Sequence, residues 1–290
     1  MGCLKDKDYD NGLIQSVHTN GTPQQVVEIK LTATSTSNFF VLAVNNSNND
    51  TTVDLVPINL ATANPAPQDI HVAVSLDSNL VVTYDTTGTA AGTPGGDYAI
   101  PSSSMYSIVN PVVTIPQGSH TGYLQIKFKP SAFIGADWAL GFKITAIQEA
   151  GYVISGNLST GIVAIGVKNQ YDGNYNTSGV RTRFNGATEG SGVLDMFTIS
   201  GVVGLSTVNA NTIAGQLADA GSGGTMALTV NADNTVTISN PAGGAYPTLV
   251  NTTGKISTYD PTSQTFHIYA SYLNSVGSLR EVDETLVKVP

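Results

Sequence analysis

The chain has 290 residues, a net charge of −9 and only 11% charged residues. It is long enough to bury real cores without disulfides and too acidic to neutralise phosphates, which argues against a nucleic-acid partner. Its lone cysteine, Cys3, rules out an internal disulfide or a cysteine zinc cluster, and no run reaches the roughly 18 apolar residues of a transmembrane helix.

The chain opens with Gly2-Cys3-Leu4-Lys5-Asp6-Lys7-Asp8-Tyr9-Asp10. This start resembles a bacterial lipoprotein cut at its lipobox, where the cysteine carries the acyl chains and a polar stretch lifts the folded part off the membrane. The other reading is an ordinary cysteine in a polar tail. Asp6 to Gly12 imitates the start of an EF-hand, but position twelve of that loop is Val17, where calcium needs a bidentate Glu. A solvated tether over residues 1–23 is therefore expected, with no metal and no cofactor.

From Val26 onward the apolar residues alternate, or run in short blocks between Gly, Asn and Pro turns. Val26 to Leu31, Asn79 to Tyr84, Tyr123 to Phe128 and Thr265 to Tyr269 all read as strands. Leu228 to Ile238 reads as a hairpin around an Asn/Asp turn, and Ile256 to Tyr269 as a second one around Asp260-Pro261. Pro130 to Ala136 and Thr212 to Ala220 are the weak helix candidates. The apolar run Gly161 to Val167 gives way to the polar cluster Asn169 to Tyr175, which sets a domain boundary near residue 169. The pattern predicts an all-β chain: a sandwich over 24–168 and an antiparallel barrel or sandwich over 169–290.

In the first domain, Asp97-Tyr98-Ala99-Ile100-Pro101, Val113-Thr114-Ile115-Pro116-Gln117-Gly118, the strand Tyr123 to Lys129, Trp138 and the strand Ala139 to Ala146 follow in order. This order resembles the immunoglobulin-like Calx-β sandwich at the N-terminus of many Bacteroidetes surface lipoproteins, long labelled a domain of unknown function. The remainder, through Gly254 to Thr258 and Thr285-Leu286-Val287, is similar to the C-terminal β domain paired with it. The resemblance implies a lipoprotein of a polysaccharide utilisation system, anchored to the outer membrane through Cys3 and facing outward. It would bind polysaccharide or oligosaccharide beside an outer-membrane transporter.

The residues themselves show no reaction centre. Hydrolysis of a glycosidic bond needs two carboxyls about 5–10 Å apart, and the acids are scattered singly, with Glu189 and Asp195 the pair to check for spatial proximity. His18, His71, His120 and His267 have no metal-ligand spacing, and no nucleophile elbow occurs. A sugar ring packs its C–H face on Trp or Tyr, so Trp138, Tyr246, Tyr269 and Tyr272 are the glycan-binding candidates. Trp138 also reads as a plug between sheets. Tyr269 and Tyr272, three apart on a strand, face opposite sides, which makes one core and one exposed. Arg181 and Arg183 share a strand face and suit either an acidic sugar or pairing with surface acids. The expected function is non-catalytic glycan capture; the alternatives are a structural or adhesive lipoprotein without a sugar site, or an unrecognised glycoside hydrolase.

Overall fold

The computed structural model describes residues 18–19, 22–23, 25–31, 33–34, 37–90, 97–217, 224–241 and 243–290. Cys3, most of the tether and the EF-hand imitation fall outside them. The chain divides into two compact units between Gly166 and Val167.

The first unit begins with a short ribbon, β1 (His18–Thr19) with β2 (Thr22–Pro23). Two larger sheets follow. The five-stranded sheet runs β12 (Tyr152–Ile154), β3 (Gln25–Ile29), β6 (Thr51–Leu60), β10 (Thr121–Phe128) and β8 (Tyr106–Ile108). The six-stranded sheet runs β4 (Ala33–Thr34), β5 (Ser37–Asn45), β13 (Thr160–Lys168), β11 (Trp138–Ile147), β7 (Ile70–Leu76) and β9 (Val112–Ile115). Period-two burial gives each strand its inner face: Leu124, Ile126 and Phe128 are buried on β10, while Tyr123 and Lys127 stand outward.

The central strands β11 and β13 read as unbroken apolar runs because both of their faces are covered. On one side lies α1 (Ser78–Ala90), packed through Leu80, Val81 and Tyr84 on Ala139, Ile162 and Ala164. Gly141 lets the helix start lie against β11, since a Cβ there would stand 2.2 Å from the Asp77 carbonyl oxygen. This helix corrects the strand expected over Asn79 to Tyr84. Its buried positions are three and four apart, Asp77 accepts from the Asn79 amide at its start, and packing outweighs the β-branched composition.

A polar staple holds the β7 and β11 ends. Glu149 accepts from the His71 backbone amide at 2.8 Å and meets its Nδ1 at 2.7 Å. Burial works against the Glu149 charge, but the His71 ring and backbone bonds prevail and hold its carboxyl below the ordinary glutamate value of 4.5. A depressed carboxyl stabilises the fold above its unfolded value and loses that contribution as pH falls through the folded one. Glu149→Gln is therefore expected to flatten the acid limb of a stability-against-pH curve from urea unfolding. An unchanged limb would show that the staple carries no linkage.

The second unit is a nine-stranded sheet curled into a nearly closed barrel. Its path is β18 (Val236–Ser239), β17 (Thr225–Val230), β16 (Thr212–Gln216), β15 (Val193–Thr207), β14 (Gly173–Phe184), β22 (Leu279–Lys288), β21 (Thr265–Leu273) and β19 (Val250–Asn251), with β20 (Thr258–Asp260) also on β21. The seam between β18 and β19 is closed by the Asn251 side chain, which accepts from the Ile238 amide and donates to the Val236 carbonyl, both at 2.8 Å. Both hairpins expected from the sequence form, with Asn234 at φ 64° and Gln264 at φ 51° taking the left-handed turn positions. The two weak helix candidates do not become α-helices. Pro130–Ala132 is one 3₁₀ turn, and Thr212–Gln216 is strand β16, paired on both edges.

The barrel interior is filled by side chains. Tyr171, Tyr175, Tyr259 and Phe266 close one end, most pairs edge to face and Tyr259 tilted on Phe266, with the Tyr175 hydroxyl donating to the Tyr171 carbonyl at 2.6 Å. Burial pushes the Tyr175 phenol well above the usual tyrosine range.

Candidate functional site

In the first unit a groove of about 470 Å³ opens at one end of the five-stranded sheet. This falls within the range of about 300–1,000 Å³ typical of small-ligand sites. Its walls are the edge strand β8 with the turn before it, the end of β10, and the 3₁₀ turn that follows. Tyr106, opposite Phe128 in register, is half-buried in this wall, and burial raises its phenol pKa. Met105 and Ala132 add apolar surface; Ser104 and Ser107 add hydroxyls.

Charge enters from β10 and the start of β6. Lys127 reaches Asp50 at 3.1 Å, both side chains about half exposed. Lys129, also exposed, has no acidic partner within bonding distance among the described residues. The groove thus offers the Tyr106 ring with the buried Phe128 beside it, two ammonium groups, three hydroxyls and one carboxylate. Such a set can stack on the C–H face of a sugar while bonding its hydroxyls.

The residues singled out from the sequence lie elsewhere. Trp138, half-buried, stands edge-on to Phe133 at 5.9 Å, and Phe133 stands edge-on to Phe128 at 5.0 Å. It belongs to an apolar row whose other end, Phe128, lines the groove. Tyr272 is 3% exposed and cannot offer a ring to solvent, which corrects its selection as a glycan contact. The alternation that buries Phe266, Ile268 and Ala270 on β21 carries it inward too. Tyr246 is half-buried, stacked on Tyr272 at 4.0 Å, and its ring lies so close to Gly224 that a Cβ there would come within 2.0 Å. Tyr269 faces outward beneath Lys255, whose Nζ is 5.3 Å from the ring centre. The structure therefore joins Tyr246 to Tyr272 and leaves Trp138 and Tyr269 apart.

Glu189 and Asp195 take separate partners. Asp195 is gripped by Arg183, while Glu189 hydrogen-bonds Glu281, whose carboxyl is raised by burial and then by that neighbour. A second aromatic cluster escapes sequence reading. Phe39 stacks on Tyr84 at 4.9 Å, with Tyr98 against both. Tyr84 is hidden by the strand reading of its segment, and Tyr98 stands in the sequence only as part of the Asp97 to Pro101 segment. Among the described residues no group of three or more His, Cys, Asp or Glu is placed to hold a metal ion.

Residues 20–151 match a family model described as an N-terminal domain, and residues 159–287 match one described as C-terminal. The chain is a pairing of these two family domains. Solved structures of similar fold cover nearly all of the paired domains. A protein of unknown function from Bacteroides ovatus is 13% identical, with 91% of this chain and 94% of that one aligned at a TM-score of 0.59. Another from the same organism is 16% identical, covering 90% and 94%, at 0.56. An auxiliary nutrient binding protein from Bacteroides thetaiotaomicron is 14% identical, covering 88% and 92%, at 0.51. No curated protein matches.

Proposed function

We propose that this protein is a non-catalytic glycan-binding lipoprotein. It would be anchored through Cys3 to the outer membrane, facing the exterior, and would hand polysaccharide fragments to an outer-membrane transporter. The observation that carries the reading is the groove at Tyr106, Lys127 and Lys129. Its size suits one or two sugar residues, and its side chains suit their hydroxyls and C–H faces. Its one carboxylate, Asp50, is bonded to Lys127, a set suited to holding a glycan rather than to cleaving it with two facing carboxyls. The pairing of domains also supports the reading, since a solved protein of this fold is named for nutrient binding. Lipid anchoring would raise the effective concentration of a modest-affinity site beside its transporter.

The test is a glycan-array screen of the protein lacking Cys3, with hits retitrated by calorimetry. Tyr106→Ala is expected to weaken binding about tenfold, equivalent to about 1.4 kcal/mol, and Lys129→Ala to weaken it less. Silence across a broad array from folded protein would discard glycan capture in favour of a spacer or adhesive role.

A further inference from the structure

The chain's arginines are Arg181, Arg183 and Arg280 and no others, and the barrel brings all of them together. Arg181 and Arg183 lie two apart on β14, and Arg280 on β22 is the register partner of Arg183. Arg181 and Arg280 are each 8% exposed, and they share the barrel's inward face with Val282 and Leu286. This is the end opposite the Tyr175 and Phe266 cluster. Tyr272, the register partner of Arg280, and Tyr246 stacked upon it line the same end.

The cluster is ordered for recognition. The Phe197 ring lies 4.8 Å from the Arg181 guanidinium carbon and 4.6 Å from that of Arg183, which holds both planar groups against one face-forming support. Arg280 donates from Nη1 to the carbonyls of Leu279 at 2.8 Å and Phe184 at 3.3 Å. Arg183 grips both oxygens of Asp195 through Nε and Nη2. Bonding to Arg183, reinforced by the charges of Arg181 and Arg280, holds the Asp195 carboxyl below the usual aspartate range. The other carboxylate on this inward face, Glu284, is buried and accepts the Thr177 hydroxyl.

On the barrel's inward face three guanidiniums meet two carboxylates, Asp195 and Glu284, while Glu281, next to Arg280 on β22, pairs with Glu189. Clustered guanidiniums set a local field that can draw an anion even to an acidic chain. The Arg183 and Asp195 side chains remain 31% and 34% exposed, so the pair stands at the entrance. Arg183 already holds one carboxylate by the two-pronged geometry that also fits uronate, sulfate and phosphate.

We infer that this end of the C-terminal barrel is an oxyanion-binding site, in which an incoming carboxylate or sulfate takes the place of Asp195 on Arg183. Taking that oxyanion to be borne by an acidic saccharide rests on the glycan reading above. The oxyanion site itself is independent of the groove in the first unit.

The test titrates the protein by calorimetry with oligogalacturonate, a sulfated galactan, their neutral galactan counterpart and inorganic sulfate. Either acidic saccharide is expected to bind at least tenfold more tightly than the neutral one, and the stronger of the two names the group as carboxylate or sulfate. Arg183→Gln should abolish that preference. Asp195→Asn should strengthen acidic binding severalfold by freeing Arg183. A purely structural ion pair would instead lose thermal stability with no gain in anion affinity, which overturns the proposal. Saccharide binding without acid preference, sensitive only to Tyr106→Ala, also overturns it while leaving glycan capture standing. Arg183-dependent binding of inorganic sulfate with no saccharide bound upholds the site and discards its assignment to an acidic saccharide. No response to any anion from folded protein overturns the oxyanion site and leaves glycan capture to the array screen.

Discussion

Replacing Phe266 with alanine is expected to cost about 3–5 kcal/mol, the range for removing a fully buried aromatic side chain. Phe266 is 0% exposed and touches three other rings, with centroids 4.6 Å from Tyr259, 5.6 Å from Tyr175 and 6.1 Å from Tyr171. Tyr175 is held from sliding into the gap, because its hydroxyl is tied to the Tyr171 carbonyl. The cavity would stay open and the loss would approach the top of the range. Urea unfolding followed by far-ultraviolet circular dichroism measures it. A loss under about 1.5 kcal/mol, the scale of a tolerated core swap, would show that the cluster repacks and is not what closes this end of the barrel.

Asn251→Ala addresses the seam. The amide of Asn251 stands in for a peptide unit that β19, only two residues long, is too short to present to β18. It satisfies the Ile238 amide and the Val236 carbonyl, and its Nδ2 also reaches the Ser257 hydroxyl at 3.1 Å. Alanine would strand both backbone groups, and with each buried unsatisfied group costing about 1–3 kcal/mol, a loss of about 2–4 kcal/mol in all is expected. Amide exchange offers the local readout: the Ile238 amide should exchange at least tenfold faster, while amides on the β14–β22 ladder follow only the global loss. Asn251→Asp keeps the acceptor and loses the donor, so it should protect Ile238 without restoring full stability. Equal exchange in all three proteins would mean that the seam is held elsewhere, for instance by the Val236 amide on the Ser257 carbonyl.

Much of the architecture was legible because strands announce themselves locally. The alternation of Leu124, Ile126 and Phe128 against Tyr123 and Lys127 is visible without any partner, and so are the Asn234 and Asp260 turns. Tyr269 and Tyr272 likewise had to face opposite ways, since a spacing of three on an extended chain permits nothing else. The sequence could not say which of the two was inward, because that depends on which face of β21 meets the core. The helix at Ser78–Ala90 was not legible: its composition is that of a strand, and only the shallow surface of Ala139, Gly141 and Ala164 beneath it makes the helical face worth burying.

The candidate sites were less legible still. Tyr106, Lys127 and Asp50 are distant in sequence and share no motif; register and strand ends alone bring them to one groove. Arg181 and Arg183, two apart on β14, share a face by spacing alone. Nothing local joins them to Arg280, about a hundred residues later, or places Asp195 and Phe197 among them. By itself the sequence determined the all-β class, the low share of charged residues and the hairpin turns, because these follow from composition, local periodicity and backbone preference. The tertiary structure alone decided which side chains face inward together, because that depends on the pairing of β14 with both β15 and β22, a non-local choice that no short window of residues contains.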